Sequence, residues 1–446
     1  MTVPSTSSPQ SLRTRPGHAL QGVLGAPGDK SVSHRALILG ALAEGRTRIT
    51  GLLESADVLA TADAVRAMGA AVTREADGIW SVSGTGGEFR NDRETLDFGN
   101  SGTGARLMMG AIAGAGGSAR LVGDESLSVR PMARVLNPLA KMGAVVRAND
   151  GHLPVEVSGA DLAAIDYTLP VASAQVKSAL LLAGLGAEGG VTVREAEPTR
   201  DHTERMLPLF GGRISVTAED GLTVIRLPGP QALKGADITV PGDPSSAAFA
   251  CVAALIVPGS EITIAGVMDN PARSGLYAVL ERMGAELSDT PSGHAAGEAL
   301  IDLEITASLL HGIDLEAEVA PSLIDEYPVL AVAAAFADGP TRLRGLAELR
   351  AKESDRLAAT AALLTANGVK AAIEGDDLLI EGRGPGGVPG GATIETQGDH
   401  RIAMAALVMG MAARQPVTID DARMIATSYP GFAADMRRLG ARVETL

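Results

Sequence analysis

Pro27-Gly28-Asp29 and Pro241-Gly242-Asp243 are the same tripeptide, recurring after close to half of a chain of 446 residues. Each ends two residues before a serine, Ser31 or Ser245, and opens an Ala-rich apolar stretch, Pro27–Ala43 or Pro241–Val257. The repeat divides the chain into two similar halves. Working outward, four more stretches of the same kind appear: Phe98–Ala113, Pro170–Leu185, Ala320–Ala337 and Gln397–Ala412. All six are apolar almost all round, which predicts buried helices. A second series interleaves with them: Met68-Gly69-Ala70, Met142-Gly143-Ala144, Phe210-Gly211-Gly212, Met283-Gly284-Ala285, Asn367-Gly368-Val369 and Leu439-Gly440-Ala441. Its first glycines recur at a nearly constant interval. Each follows a helical pattern such as Ala60–Met68 and precedes a strand-like one such as Ala71–Thr73. That places glycine just past a helix end, where the backbone turns left-handed. Short Val/Ile/Thr segments, among them Thr47–Thr50, Ile262–Ile264 and Val417–Ile419, flank the buried helices. The pattern predicts an α/β protein of six repeated units, three per half. Each unit has one buried helix, one amphipathic helix and several strands.

Composition narrows the class. Apolar residues make up 46% and aromatics only 2%, so the core is built from Ala, Val, Leu and Ile, with 54 glycines allowing close backbone approach. The net charge of −15, without a basic stripe, argues against a nucleic-acid partner. A single cysteine, Cys251, excludes an internal disulfide and suits a reducing compartment. Apolar runs such as Ile402–Ala413 are too short to span a bilayer, so no membrane association is expected. The segment before Asp29 carries no acid and is rich in Ser and Pro, which reads as a short disordered tail rather than a transit peptide. With no apolar signal region, the expected location is the cytoplasm.

Polar residues gather at the starts of the six buried helices. In chain order they are Lys30, Ser31 and Arg35; Asn100, Ser101, Thr103 and Arg106; Ser173, Gln175 and Lys177; Asp243, Ser245 and Ser246; Asp325 and Glu326; Asp399, His400 and Arg401. Ser, Asp and Asn there serve as N-caps. Five cations, Lys30, Arg35, Arg106, Lys177 and Arg401, oppose the helix dipole, and that placement predicts bound negative charge among the helix starts. The seven histidines show no metal-ligand spacing. His34, His202 and His400 are read as hydrogen-bonding groups. Gly99–Gly104 opens a helix but lacks the Gly-Lys-Ser/Thr of a P-loop. Cys251 lies in an apolar stretch and reads as a small core residue.

The motifs resemble those of a known family. Lys30-Ser31-Val32-Ser33-His34-Arg35, Gly99-Asn100-Ser101-Gly102-Thr103, Ser173-Ala174-Gln175-Val176-Lys177, Asp325-Glu326-Tyr327-Pro328, Lys352-Glu353-Ser354-Asp355-Arg356 and Asp399-His400-Arg401 stand in the order of the 3-phosphoshikimate 1-carboxyvinyltransferases, or EPSP synthases. The resemblance runs from about residue 20 to the C-terminus. Phe98-Gly99-Asn100, Thr199-Arg200-Asp201-His202-Thr203-Glu204 and Ala426-Thr427-Ser428-Tyr429-Pro430 look like the class II branch.

The resemblance implies transfer of the enolpyruvyl group of phosphoenolpyruvate to the 5-hydroxyl of shikimate 3-phosphate, with release of phosphate, on the route to chorismate. It implies addition and then elimination through a tetrahedral intermediate, with no cofactor and no metal. It implies the enolpyruvyl transferase fold, a two-domain inside-out α/β barrel with buried helices inside and sheets outside. Residues 1–27 and 243–446 would form one domain and residues 28–242 the other, with the active site in the cleft between them. Lys30, Ser31, Arg35, Ser173, Ala174, Gln175, Arg200, Asp325 and Lys352 would hold shikimate 3-phosphate. Lys30, Asn100, Gly102, Thr103, Arg130, Gln175, Arg356 and Arg401 would hold phosphoenolpyruvate. Asp325 is the first choice to take the hydroxyl proton, while Glu353 and Lys30 both stand for the transfer at the methylene carbon. Glyphosate is the expected inhibitor and a monomer the expected form. Many members carry a Lys near Ser428 or Tyr429 that contacts phosphoenolpyruvate. This chain has none, which leaves that contact to Arg401 or Lys352. Two other readings stay open: a UDP-N-acetylglucosamine enolpyruvyl transferase, which uses a loop cysteine as acid, and a non-catalytic anion-binding scaffold.

Overall fold

The computed structural model describes residues 10–446. The chain divides into two compact units. One comprises Gly28–Pro241 together with His294–Glu298, and the other the residues up to Pro27 with Gly242–Gly293 and Ala299–Leu446.

The first unit is built on three buried helices, α1 (Lys30–Leu42), α2 (Gly102–Gly114) and α3 (Ala174–Gly184). Their Ala- and Gly-rich sequences let two of them touch backbone to backbone. A Cβ on Gly110 of α2 would lie 2.0 Å from the carbonyl of Ala179 in α3. Three four-stranded sheets complete the unit, all with one topology. In the first, Asp237–Thr239 runs parallel to Arg46–Thr50, and Trp80–Ser83 and Ala71–Arg74 follow antiparallel. Glu94–Asp97, Ser118–Val122, His152–Ser158 and Val145–Asn149 repeat that order, as do Ala163–Thr168, Glu188–Glu195, Leu222–Leu227 and Ser215–Glu219.

The second unit repeats the plan with α4 (Pro244–Ile256), α5 (Tyr327–Ala335) and α6 (His400–Ala412), which lie in one continuous apolar core. All six glycines that follow the amphipathic helices are left-handed, with φ between 78° and 113°. Expectation and structure differ in two helices. Ala320–Ala337 breaks after a four-residue helix, Ala320–Leu323, and resumes at Tyr327 with Pro328 in its first turn, where a missing N–H costs nothing. The third amphipathic helix is only His202–Met206, followed by a 3₁₀ turn containing Pro208.

The disordered-tail reading is also corrected. Its residues 1–9 lie outside the described residues, but Leu12–Arg15 and Gln21–Gly25 are strands. Leu12–Arg15 is held between Val417–Ile419 and Arg442–Thr445, and Thr14 donates to the carbonyl of Leu407 at 2.6 Å. Partners from the last part of the sequence supply what the acid-poor composition concealed.

The chain passes from one unit to the other at the repeated tripeptides. Gln21–Gly25, which precedes α1, pairs with Glu261–Asp269 in the second unit, while Asp237–Thr239, which precedes α4, pairs in the first. The two connecting segments are held reciprocally. Asp29 N–H donates to the carbonyl of Pro241, and Asp243 N–H to that of Pro27, each at 2.7 Å. Gly28 is required here, because a Cβ would sit 2.1 Å from the carbonyl oxygen of Gly51. Gly28→Ala is expected to cost about 1–3 kcal/mol, as overpacking does. A thermal melt checks this, and an unchanged midpoint would mean that the Gly51 turn yields freely.

Candidate functional site

In the first unit the helix starts are capped by their own side chains. Asp29 accepts from Val32 N–H at 2.7 Å, Ser101 from Gly104 at 3.2 Å and Ser173 from Val176 at 3.4 Å. Around them the structure brings together several of the expected phosphoenolpyruvate ligands. Gln175 accepts from Arg106 at 2.7 Å and donates to Thr103 at 2.9 Å. Arg130 donates to the side chains of Asn100 at 2.8 Å and Ser126 at 3.0 Å. Gly102 borders both arginines: a Cβ there would lie 3.2 Å from Arg106 and 3.3 Å from Arg130.

Lys30 pairs with Asp57 at 3.0 Å and keeps 20% of its side chain exposed. Arg35, of the expected shikimate 3-phosphate ligands, is buried. It donates to Thr203 at 2.8 Å, Ser178 at 2.7 Å and the carbonyl of Ser31 at 2.9 Å. Ala174 opens α3 one residue before Gln175, and Arg200 lies in the loop before helix His202–Met206.

Lys177, like Lys30 on Asp57 and Arg401 on Glu326, corrects the expectation that cations at helix starts mark bound anions. Its side chain is 1% exposed and pairs with Glu195 at 3.0 Å and Glu204 at 2.8 Å, so its charge is answered within the protein. Burial, joined by Lys30 and Arg35, holds the pKa of His34 well below its ordinary value. Neutral, His34 bonds Thr61 at 2.8 Å, a hydrogen-bonding role as expected. His202 pairs with Glu298 at 2.8 Å, and His400 meets Thr427 at 3.4 Å.

In the second unit Arg356 is the centre. It is 1% exposed, and it donates to Asp325 at 3.1 Å, to Asp399 at 2.8 Å and to Glu353. Burial works against its charge, but Asp399, Glu353 and Asp325 outweigh burial and raise its pKa. Lys352 adds a second cation to Asp325 at 3.2 Å. Arg401 bonds Glu326 at 3.1 Å and the carbonyl of Asp325 at 2.8 Å. Asp399 caps α6 through Arg401 N–H at 2.9 Å and accepts from Ser354 at 3.0 Å. Asp325, Lys352, Glu353, Arg356 and Arg401 therefore form one network. Tyr429 is buried in the core, where it meets Phe432 edge to face and bonds Asp435 at 3.0 Å. Cys251 is fully buried in α4, and burial pushes its thiol up to about 12.

Sequence reasoning missed Asp57 as the partner of Lys30. It lies on an amphipathic helix, Ala56–Ala67, where an acid in the first turn reads only as dipole compensation.

Each unit thus holds guanidinium and ammonium groups with carboxylates beside them, a chemistry suited to binding anions and moving protons. The fold is one that enolpyruvyl transferases share: NikO of Streptomyces tendae aligns with a TM-score of 0.75 at 22% identity, over 98% of this chain and 99% of that one. EPSP synthase from Acinetobacter baumannii aligns with a TM-score of 0.87 at 42% identity, over 98% and 100%. The model of the EPSP synthase family, 3-phosphoshikimate 1-carboxyvinyltransferase, matches residues 14–436. The 3-phosphoshikimate 1-carboxyvinyltransferases of Maricaulis maris and Acidiphilium cryptum are 54% and 57% identical, over 98% of this chain in both cases and 97% and 98% of theirs. The chain belongs to the EPSP synthase family of transferases.

Proposed function

We propose that this protein transfers the enolpyruvyl group of phosphoenolpyruvate to the 5-hydroxyl of shikimate 3-phosphate and releases phosphate. The observation that carries the mechanism is Asp325 between Lys352 and Arg356, with Glu353 on the same guanidinium. In the addition step the 5-hydroxyl oxygen bonds C2 of phosphoenolpyruvate. Its proton passes to Asp325, the carboxylate that lies between Lys352 and Arg356. The methylene carbon gains a proton from Glu353 or Lys30, giving a tetrahedral intermediate. In the elimination step that carbon returns a proton and the C–O bond to phosphate breaks. Arg130, Arg356 and Arg401 neutralise the phosphate and carboxylate of the donor, with Asn100, Gly102, Thr103, Gln175 and Lys30 beside them. Lys30, Ser31, Arg35, Ser173, Ala174, Gln175, Arg200, Asp325 and Lys352 hold the acceptor. The contact that a Lys makes in other members falls to Arg401 or Lys352.

The buried Cys251 argues against a chemistry that needs a loop cysteine. Phosphate release from phosphoenolpyruvate tests the reading. Activity with shikimate 3-phosphate and none with UDP-N-acetylglucosamine is expected, and the reverse, or no release with either, overturns it.

The reading also places the active site between the units and has them close over substrate, which excludes water from the intermediate. The radius of gyration from small-angle scattering is expected to fall with saturating shikimate 3-phosphate. No fall would count against the two connecting segments as a hinge. Trp80 is a poor reporter for this, being 4% exposed and bonded to Glu54 at 3.1 Å. A monomer in the cytoplasm, inhibited by glyphosate, completes the reading. Among the described residues no helix is long and apolar enough to cross a membrane.

A further inference from the structure

Lys177 is the most enclosed cation of the first unit, and its ammonium bonds none of the residues assigned to substrate. Its ammonium has three donors, and three acceptors face it: Glu195 at 3.0 Å, Glu204 at 2.8 Å and the carbonyl of Thr199 at 3.2 Å. Glu195 in turn accepts from the hydroxyl of Thr199 at 2.7 Å and from its N–H at 3.3 Å. The knot grips the segment 199–204 at both ends. Thr199 directly precedes Arg200, and Glu204 directly follows Thr203. Thr203 accepts from Arg35 at 2.8 Å and donates to Ser178, the next residue after Lys177, at 2.8 Å, while Ser178 accepts from Arg35 at 2.7 Å.

We propose that Lys177 is a positioning residue that sets Arg200 and Arg35 for the anionic groups of shikimate 3-phosphate. The inference rests on the assignment of those two arginines to that substrate. A buried ammonium shared by two carboxylates is a poor device for stability alone, since desolvating three charges offsets much of their attraction. It is a good device for fixing a loop, because each partner has one place to go. Arg200 sits in a connection with no strand or helix of its own, and Lys177 joins that connection to α3, which also carries Ala174 and Gln175 and is capped by Ser173.

The test uses the full chain, with Michaelis constants measured for both substrates and a melting midpoint for each variant. Lys177→Met keeps the length of the side chain and removes the ammonium. The Michaelis constant for shikimate 3-phosphate is expected to rise roughly tenfold or more, as small misplacements of binding groups do, while that for phosphoenolpyruvate stays within about twofold. Lys177→Met with Glu204→Gln removes one stranded buried charge. The melting midpoint is expected to recover and the Michaelis constant for shikimate 3-phosphate is not. Thr199→Val leaves every charge in place and is the milder variant, expected to raise the same constant about two- to tenfold, the worth of one hydrogen bond.

The proposal is overturned if that constant is unchanged in the folded variants, if it recovers together with the melting midpoint, or if both substrates are affected alike. Wild-type protein that releases no phosphate from the two substrates would instead overturn the assigned reaction beneath it. Arg200→Ala with unaltered affinity for shikimate 3-phosphate would remove the reason for positioning that loop.

Discussion

Asp325→Asn is expected to retain shikimate 3-phosphate binding and to lose turnover by a factor on the order of 10²–10⁴, the typical contribution of a positioned proton-transfer group. The change is nearly isosteric. The amide oxygen can still accept from Lys352 or Arg356, which approach at 3.2 and 3.1 Å. Arg356 stays anchored by Asp399 and Glu353, so its direction survives the loss of one carboxylate. What disappears is the basic site for the 5-hydroxyl proton. Steady-state rates and equilibrium binding of shikimate 3-phosphate, measured on the same preparation, separate the two effects. Near-normal turnover would move the role to Glu353 or Lys30.

Gly102→Ala is expected to weaken glyphosate more than phosphoenolpyruvate. The new methyl would sit 3.2 Å from Arg106, 3.3 Å from Arg130 and 3.4 Å from Leu127. Neither guanidinium is free to withdraw. Arg106 is tied to Gln175 and to the carbonyl of Pro131 at 3.0 Å, and Arg130 to Asn100 and Ser126. On the proposed reading, in which donor and inhibitor both lie beside Gly102, the crowding is passed to the ligand, and the longer inhibitor has less room to adjust than the natural donor. A methyl clash in a packed site costs on the order of 1–3 kcal/mol, or roughly 5- to 150-fold in affinity. The ratio of the glyphosate inhibition constant to the donor's Michaelis constant is the measurement. A ratio that does not rise would mean that Gly102 does not line the donor pocket or that the pocket has space for the methyl.

The six-unit architecture was legible because it rests on features that repeat locally. Gly69 and its five counterparts take a conformation that few other residues accept, and the Ala-rich helices are apolar on every side. The N-terminal strands were not legible, since Leu12 and Thr14 are buried by elements that lie at the far end of the chain. Asp325, Glu353 and Asp399 stand in short recognisable motifs, but their pairing with Arg356 was not legible, since that arginine was expected to face phosphoenolpyruvate. Lys177 was misread for an instructive reason. A cation at a helix start shows that negative charge is near but not whether it belongs to a ligand, and Glu195 and Glu204 lie well beyond the end of the helix that carries Lys177.

The crossing of the chain at the repeated tripeptides sets an order of events on the ribosome. Leu12–Arg15 emerges long before Val417–Ile419 and Arg442–Thr445, the strands that flank it. At about 5–20 residues per second the first strand waits roughly 20–80 s for its neighbours. In that interval the segment from Gly28 to Pro241, whose ends adjoin each other, has everything it needs to fold except the short hairpin tip His294–Glu298. The nascent chain thus holds a unit able to complete itself while Leu12–Arg15 still lacks its flanking strands. Arg13 and Arg15, which later share Glu444, give that strand the charge that discourages pairing with a neighbouring chain while it waits.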